Sequence, residues 1–300
     1  MVPDSVARML LATEGQAARE WLRRLPGIVR DVGRRWSLRV GPPFLGGAVA
    51  FVAPAVTAAG ERVVLKVSIL TDETRNEADA LELWNGDGSV RLLEADRELG
   101  ALLLERAEPG SSLEEHPDRA EAVRIACGLL RRLRRQPPAG HPFEPVTDLA
   151  RRWSEELPRR YLALGGPFDE TLVGEASDSL RELAGWSGDE LVVNRDFHLG
   201  NFLAARREPW LAIDPKPLVG EAAFDSGYLL TTLLGEHPDR AETARLISVL
   251  ARDLELDPDR IRAWAFARAV ENVLWALEYG FPAGADLRQA EALRSVRRPR

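Results

Sequence analysis

The chain has 300 residues, of which 45% are hydrophobic and 29% are charged, a composition that excludes disordered and fibrous proteins. Its net charge of −7 argues against a nucleic-acid partner. Its apolar runs are far shorter than the roughly 20 residues of a membrane-spanning helix, which argues against a membrane partner. A single cysteine, Cys127, excludes an internal disulfide. Together these features indicate a cytoplasmic enzyme.

The first third of the chain predicts a helix followed by short strands. An arginine-rich amphipathic stretch predicts a helical extension up to residue 32. Thr71 or Asp72 would cap a later helix that runs to about Trp84, where Asn85-Gly86 ends it. Apolar or β-branched runs separated by turns predict strands at 36–40, 48–56, 63–68, 90–93 and 101–105. Glu108-Pro109-Gly110-Ser111-Ser112 is the clearest linker signal.

Beyond this linker, apolar residues recur with the 3.6-residue period of helices. The period predicts helices at 118–135, 146–163, 169–184, 222–234, 238–252 and 258–278. A β-like island at 191–204 and 210–213 interrupts them. We therefore predict an α+β protein with two domains: residues 1–107, with a small antiparallel sheet, one main helix and the extension at 1–32, and a larger, mostly helical domain at 108–300.

The β-like island carries a pattern of acidic and amide side chains. Asp196 and Asn201 lie five positions apart, and Asp214 follows after a further strand-like run. Mg²⁺ prefers such oxygen ligands, and an aspartate beside the metal site would orient a hydroxyl and receive its proton. The spacing is that of kinase catalytic loops, in which D-x-x-x-x-N precedes a later Asp.

Lysine is rare in this chain, since only Lys66 and Lys216 occur among forty basic residues. An ammonium is not interchangeable with a guanidinium at a tight site, so both lysines are candidates for function. Val63-Val64-Leu65-Lys66 matches the V-A-I-K strand whose lysine contacts nucleotide phosphates. Glu77, in the predicted helix, would hold Lys66 by an ion pair. Gly46-Gly47, between two strands, would form a turn over the phosphates.

These residues resemble the aminoglycoside phosphotransferase family, which has a protein-kinase-like fold of two lobes. The family motif H-G-D-L-H-x-x-N is matched by Asp196, His198 and Asn201, whereas Asn194-Arg195 stands in place of His-Gly. The streptomycin 6-kinase and hydroxyurea phosphotransferase group is more closely similar, in the stretches 84–93, 213–221 and 256–261. The resemblance covers roughly residues 36–280 and implies the use of ATP with Mg²⁺.

The resemblance implies a role for each matched residue. Asp196 would accept the hydroxyl proton, while Asn201 and Asp214 would bind Mg²⁺. Lys66, oriented by Glu77, would bind the α- and β-phosphates. Backbone groups of the segment that contains Glu105 and Ala107 would contact adenine. His198 either braces the catalytic loop or lies beside the substrate. Two further choices stay open: whether Lys216 faces phosphate or solvent, and whether Asp225 bonds to the catalytic loop or caps a helix.

The last long predicted helix suggests where an acceptor would bind. Its positions i, i+1, i+4 and i+7 would present two carboxylates, an amide and an indole to a guanidinium or amine, from Glu271, Asn272, Trp275 and Glu278. A partly solvated helix with Trp275 in the core explains the same pattern. We expect an O-phosphotransferase for a small hydroxylated, cationic antibiotic such as streptomycin. The alternatives are another acceptor (hydroxyurea, a sugar or an amino sugar) and a silent nucleotide-binding scaffold.

Overall fold

A computed structural model describes residues 2–45 and 50–296. Gly46 and Gly47, the predicted turn over the phosphates, lie outside these described residues. Two helices, α1 (Asp4–Thr13) and α2 (Gly15–Arg35), form the N-terminal extension. The sequence predicts a single helix here, but the helix is interrupted at Glu14, just before Gly15, which has a φ of +53°. Such a left-handed backbone favours glycine and interrupts a right-handed helix.

The five strands of the main sheet are all antiparallel and run in the order β1-β2-β3-β5-β4. Their bounds are β1 (Arg39–Val40), β2 (Ala50–Val56), β3 (Arg62–Ser68), β4 (Leu92–Asp96) and β5 (Ala101–Glu105). The buried faces of α1 and α2 share one hydrophobic core with this sheet, including Leu10, Leu25, Leu65 and Leu103. The extension is thus part of the sheet's core.

Helix α3 (Glu77–Trp84) begins about five residues later than the sequence predicts, because residues 72–76 form turns. Its end is as predicted: Asn85 takes a left-handed conformation with φ of 47°, and Gly86 follows with φ of +80°. A helix frequently ends on such a left-handed residue, and asparagine tolerates it better than most side chains do. The later start places Glu77 in the first turn of α3.

The remaining helices are α4 (Arg119–Leu133), α5 (Val146–Ala163), α6 (Glu170–Ala184), α7 (Ala223–Leu234), α8 (Arg240–Leu254), α9 (Pro258–Glu278) and α10 (Gly284–Ser295). Aspartate side chains cap four of them by accepting backbone N–H groups, at Asp118, Asp169, Asp239 and Asp257. The sequence analysis did not predict α10. Among the described residues, no helix is both long and apolar enough to cross a bilayer.

Four short strands flank the predicted catalytic loop in the sequence, one before it and three after it. β6 (Leu191–Asn194) pairs antiparallel with β9 (Pro217–Gly220), and β7 (Phe202–Ala204) pairs with β8 (Trp210–Ala212). The chain forms two compact units, Met1–Ser111 with Leu203–Lys216, and Ser112–Phe202 with Pro217–Arg300. The β7–β8 hairpin therefore packs largely with the strand-rich unit. The functional division at residues 107 and 108 stays a prediction.

Candidate active site

In the first unit, one buried lysine lies between two carboxylates. The Lys66 ammonium on β3 donates to both Glu77 oxygens at 2.7 and 2.6 Å, and to Asp214 Oδ1 at 2.6 Å. Side-chain exposure is 7% for Lys66 and 3% for Glu77, but 38% for Asp214. Lys66 and Asp214 are 148 positions apart in the sequence, and Asp214 follows β8, which ends two residues earlier. The structure thus brings together three of the predicted site residues.

Burial and charge compete within this triad. Burial by itself lowers the pKa of Lys66, but the charges of Asp214 and Glu77 outweigh it, so this pKa lies above its ordinary value. Burial raises the pKa of Glu77 to about 7, with Lys66 opposing the rise and Asp214 adding to it. Above neutral pH the triad therefore holds one ammonium and two carboxylates. This excess of negative charge favours an additional cation.

In the second unit, the loop after β6 holds Asp196 by its backbone. Asn194 Oδ1 accepts the Asp196 N–H at 3.0 Å, and Asn201 Nδ2 donates to the Asp196 carbonyl at 2.9 Å. Asn194 is fully buried, and Phe197 stacks on Phe202 with ring centroids 5.6 Å apart. Both the N–H and the carbonyl of Asp196 are thereby held, so its carboxylate stands on a constrained backbone.

The two departures from the family motif have defined contacts in this loop. Asn194, in the place of the usual histidine, braces the loop through the bond to Asp196 N–H. The guanidinium of Arg195, in the place of glycine, lies 5.8 Å from the centroid of the Trp153 ring, a cation–π distance. His198 Nδ1 accepts the Gly200 N–H at 3.1 Å, and its ring meets Tyr228 edge to face. These contacts are of the kind that the loop-bracing role requires, and the choice between the two roles of His198 stays a prediction.

The donor atoms of Asp214 and Asn201 suit a hard divalent cation. Asp214 presents a carboxylate on a residue with a left-handed φ of 53°, a conformation that the surrounding structure must hold. Asn201 uses its amide nitrogen to bond Asp196, so its amide oxygen is the atom suited to a metal. Among the described residues no three His, Cys, Asp or Glu side chains form a metal cluster. The assignment of Asn201 and Asp214 to a metal stays a prediction.

The segment after β5 has a fixed beginning. The Glu105 N–H donates to the Arg91 carbonyl at 2.9 Å, and the Glu105 carboxylate accepts from Arg207. The side chain of Glu105 is therefore engaged within the protein. Contact of a base with backbone groups of Glu105 and Ala107 stays a prediction.

The four residues proposed for the acceptor lie on α9, and their side chains have internal partners. The guanidinium of Arg160 donates to Glu271 at 3.2 Å. It also donates to both carboxylate oxygens of Glu278, at 2.8 and 2.9 Å. Asn272 bonds to Asp286, and Trp275 packs against Tyr279 and Phe281. A cationic acceptor would have to compete with Arg160 for these carboxylates. Their role in substrate binding stays a prediction.

Two residues with open roles also have assigned surroundings. Lys216 is half-buried, and its charge lowers the pKa of Glu77, so it is not a plain surface lysine. Asp225 is fully buried in the first turn of α7 and accepts from Arg134 at 2.9 Å. Burial raises the pKa of Asp225, and Arg134 opposes that rise. Asp225 is not the N-cap of α7, which is Ala222.

The family model for the aminoglycoside/hydroxyurea antibiotic resistance kinases matches residues 35–280. The chain belongs to this family. Membership confirms the sequence resemblance and makes the chain a small-molecule kinase whose acceptor is a hydroxyl group.

Relatives of this kinase extend over almost its whole length. Streptomycin 6-kinase of Streptomyces griseus is 36% identical over 298 residues, which cover 97% of this chain and 96% of the relative. Hydroxyurea phosphotransferase of Kitasatospora aureofaciens is 38% identical over 283 residues, which cover 93% of this chain and 81% of the relative. A solved amicoumacin kinase in complex with AMP-PNP and Ca²⁺ has a TM-score of 0.61 and 16% identity, covering 90% of this chain and 92% of that one. The predicted protein-kinase-like α+β fold is thereby confirmed.

Two arginines of the kinase carry contacts that the sequence analysis did not single out. Arg134 holds the buried Asp225, and Arg207 holds Glu105. The chain contains 38 arginines, so composition gives neither of them a distinguishing mark. Each meets its partner across roughly 90 to 100 residues of chain, a distance over which local patterns carry no signal.

Proposed function

We propose that this kinase transfers the γ-phosphoryl group of ATP to a hydroxyl of a cationic aminoglycoside, with streptomycin as the first candidate. The observation that carries the proposal is the buried Lys66 held by Glu77 and Asp214. Burying a lysine with two carboxylates costs desolvation free energy unless the charges are paired. A lysine held in this way is the group that binds nucleotide phosphates in kinases. A reaction that consumes ATP belongs in the cytoplasm, where we place this enzyme.

The catalytic step would be an in-line displacement at phosphorus. The acceptor oxygen forms a bond to the γ-phosphorus while the bond to the β,γ-bridging oxygen breaks and ADP leaves. Asp196 orients the acceptor hydroxyl and takes its proton. Lys66 binds the α- and β-phosphates, and Glu77 fixes the ammonium in place. In this reaction most of the catalysis is positioning and charge neutralisation, which the fixed backbone of Asp196 suits.

Asn201 and Asp214 would hold Mg²⁺, whose positive charge neutralises the phosphate oxygens when it is bound. The oxygen donors of both residues support this assignment, and so does the excess negative charge of the triad. Gly46 and Gly47 would lie over the phosphates, and backbone groups of Glu105 and Ala107 would bind adenine. In this division, residues 1–107 bind the nucleotide, and 108–300 carry the catalytic loop and the acceptor site.

The choice of acceptor depends on the relatives. A streptomycin 6-kinase matches 97% of this chain, and the acidic net charge of −7 suits a cationic partner. Hydroxyurea is the second candidate, because a hydroxyurea phosphotransferase is 38% identical over 283 residues. Hydroxyurea is small and uncharged, so it would not need the carboxylates of α9.

An acceptor panel tests the proposal. The purified chain is incubated with ATP and Mg²⁺, and with streptomycin, hydroxyurea, an amino sugar or no acceptor, and both ADP release and product mass are measured. We expect acceptor-dependent ADP release and a streptomycin product heavier by one phosphate. A phosphorylated product from another acceptor alone would overturn streptomycin as the substrate but leave the kinase activity standing. ADP release that no acceptor stimulates would contradict phosphotransfer to this class of substrate.

A further inference from the structure

Arg207, in the turn of the β7–β8 hairpin, uses all five of its N–H donors. Nε donates to Glu105 Oε1 at 2.8 Å, and Nη2 donates to Glu105 Oε2 at 2.8 Å and to the Ser89 carbonyl at 2.8 Å. Nη1 donates to the Gly86 carbonyl at 2.6 Å and to Glu208 Oε1 at 2.7 Å. A guanidinium has five N–H groups, so this one is saturated.

The carboxylate of Glu105 accepts three hydrogen bonds. Both of its oxygens accept from Arg207, and Oε2 also accepts the Arg91 N–H at 3.0 Å. Burial opposes ionisation of Glu105, but Arg207 overcomes this effect, and the pKa of the carboxyl lies below its ordinary value. Paired N–H···O bonds of this kind fix orientation as well as distance. The end of β5 is therefore held rigidly to the β7–β8 hairpin.

The same hairpin also holds the far end of the segment that leaves β5. The Gly110 N–H donates to the Ala204 carbonyl, and the Ala204 N–H donates to the Ser111 carbonyl, both at 2.9 Å. Residues 106–109 thus bridge two points that are fixed on one hairpin: Glu105 by its side chain, and Gly110 by its backbone. Within the bridge, Glu108 also pairs with Arg62 and with Arg106.

The hairpin is in turn joined to the loop that follows α3. The Val90 N–H donates to the Ala212 carbonyl at 3.0 Å, and the Ala212 N–H donates to the Gly88 carbonyl at 2.9 Å. Arg207 donates to two carbonyls of the same loop, those of Gly86 and Ser89. One guanidinium therefore links three chain segments: the end of β5, the loop at 85–91, and the hairpin itself.

We propose that Arg207 is a positioning residue for the adenine base: it fixes the backbone of residues 105–107 through the carboxylate of Glu105. This inference rests on the proposed use of ATP by this unit. Lysine in place of Arg207 keeps the positive charge but loses the planar fork, so it satisfies at most part of the five contacts. The loss would fall on recognition of the base and not of the phosphates.

The test compares ligands that contain only part of ATP. The dissociation constants of ATP, adenosine and inorganic tripolyphosphate are measured by calorimetry for the full chain and for Arg207→Lys. The exposed neighbour in the same hairpin, Arg206→Lys, is the matched control. We expect Arg207→Lys to weaken ATP and adenosine by the same factor, about tenfold, a loss of about 1.4 kcal/mol. Tripolyphosphate binding and every constant of Arg206→Lys should stay within about twofold.

Steady-state kinetics give a second readout. The KM for ATP should rise in Arg207→Lys, while kcat at saturating ATP and the KM for the acceptor stay unchanged. Equal adenosine affinity in the full chain and in Arg207→Lys would overturn the inference, as would an equal loss for tripolyphosphate. If Arg207→Lys does not fold, Glu105→Gln is measured in its place and should show the same pattern. A parent chain that binds neither ATP nor adenosine would instead overturn the proposed function.

Discussion

A single buried ammonium pairs with two carboxylates in the strand-rich unit of this kinase. Lys66 is one of two lysines in the chain, and its two carboxylate partners come from α3 and from the segment after β8. Removing one member of a buried ion pair leaves an uncompensated charge, which costs far more than the net contribution of the pair. The consequences should therefore appear in the pH dependence of stability.

Lys66→Met should change how stability depends on pH. Glu77 has a folded-state pKa of about 7, above its ordinary value, so its contribution to the stability of the parent chain falls as the pH rises towards 7 and then levels off. Without Lys66, whose charge lowers the pKa of Glu77, that pKa rises further, and the variant continues to lose stability above pH 7. Above pH 7 the difference in free energy of unfolding between the parent chain and Lys66→Met should widen by about 1.4 kcal/mol per pH unit. Urea unfolding at several pH values between 6 and 9 measures it.

The double variant Lys66→Met/Glu77→Gln is the control for this experiment. With no carboxyl at position 77, its stability should run parallel to that of the parent chain above pH 7. Parallel curves for the single variant Lys66→Met would show that Glu77 does not titrate as described. The triad would then not be a coupled electrostatic unit.

At this scale, the sequence predicts the residues of the site better than their partners. Lys66, Glu77 and Asp214 follow from rarity and motif spacing, and the structure brings them within hydrogen-bonding distance. Arg207 and Arg160 do not follow, because each is one of 38 arginines and its partner lies about 100 residues away in the chain. Spacing identifies residues on one local element, whereas such long-range pairs depend on the tertiary fold.

The helices and strands show the same limit. α5 and α9 match their predicted bounds because their apolar period is long and uninterrupted. β9 was not predicted, since its four buried residues begin with a proline and have no alternating pattern. α10 was missed although it presents Gln289, Ala290, Ala292 and Leu293 as a short buried face. Short elements acquire their structure from what they pack against.

The N-terminal helices offer a prediction about packing. Leu25 on α2 is 1% exposed and lies in the core that α1 and α2 share with the main sheet. Leu25→Ala should lower the free energy of unfolding by about 2 to 5 kcal/mol, because a buried cavity replaces the side chain. Chemical denaturation measures this loss. The exposed neighbour Arg24→Ala should leave stability within about 0.5 kcal/mol. Equal effects of the two variants would mean that α2 does not belong to the core.

For the molecule as a whole, the fold and the protein family are established by different observations. The fold rests on the antiparallel sheet, the helical second unit and the likeness to solved kinases, while the family rests on a match over residues 35–280. The catalytic roles rest on two local groups, one in each unit: Lys66 with its carboxylates, and the braced loop around Asp196. Each group is complete within its own unit.

The rate of phosphoryl transfer by Asp196→Asn tests the central claim most directly. Radiolabelled γ-phosphate transfer to the accepted substrate is measured beside the affinity for ATP, with the exposed Asp189→Asn as the matched control. A general base contributes about 10²- to 10⁴-fold, so kcat should fall at least about 100-fold while the dissociation constant of ATP stays within about twofold. Asp189→Asn should match the parent chain in both. Transfer at the parent rate by Asp196→Asn would contradict the account.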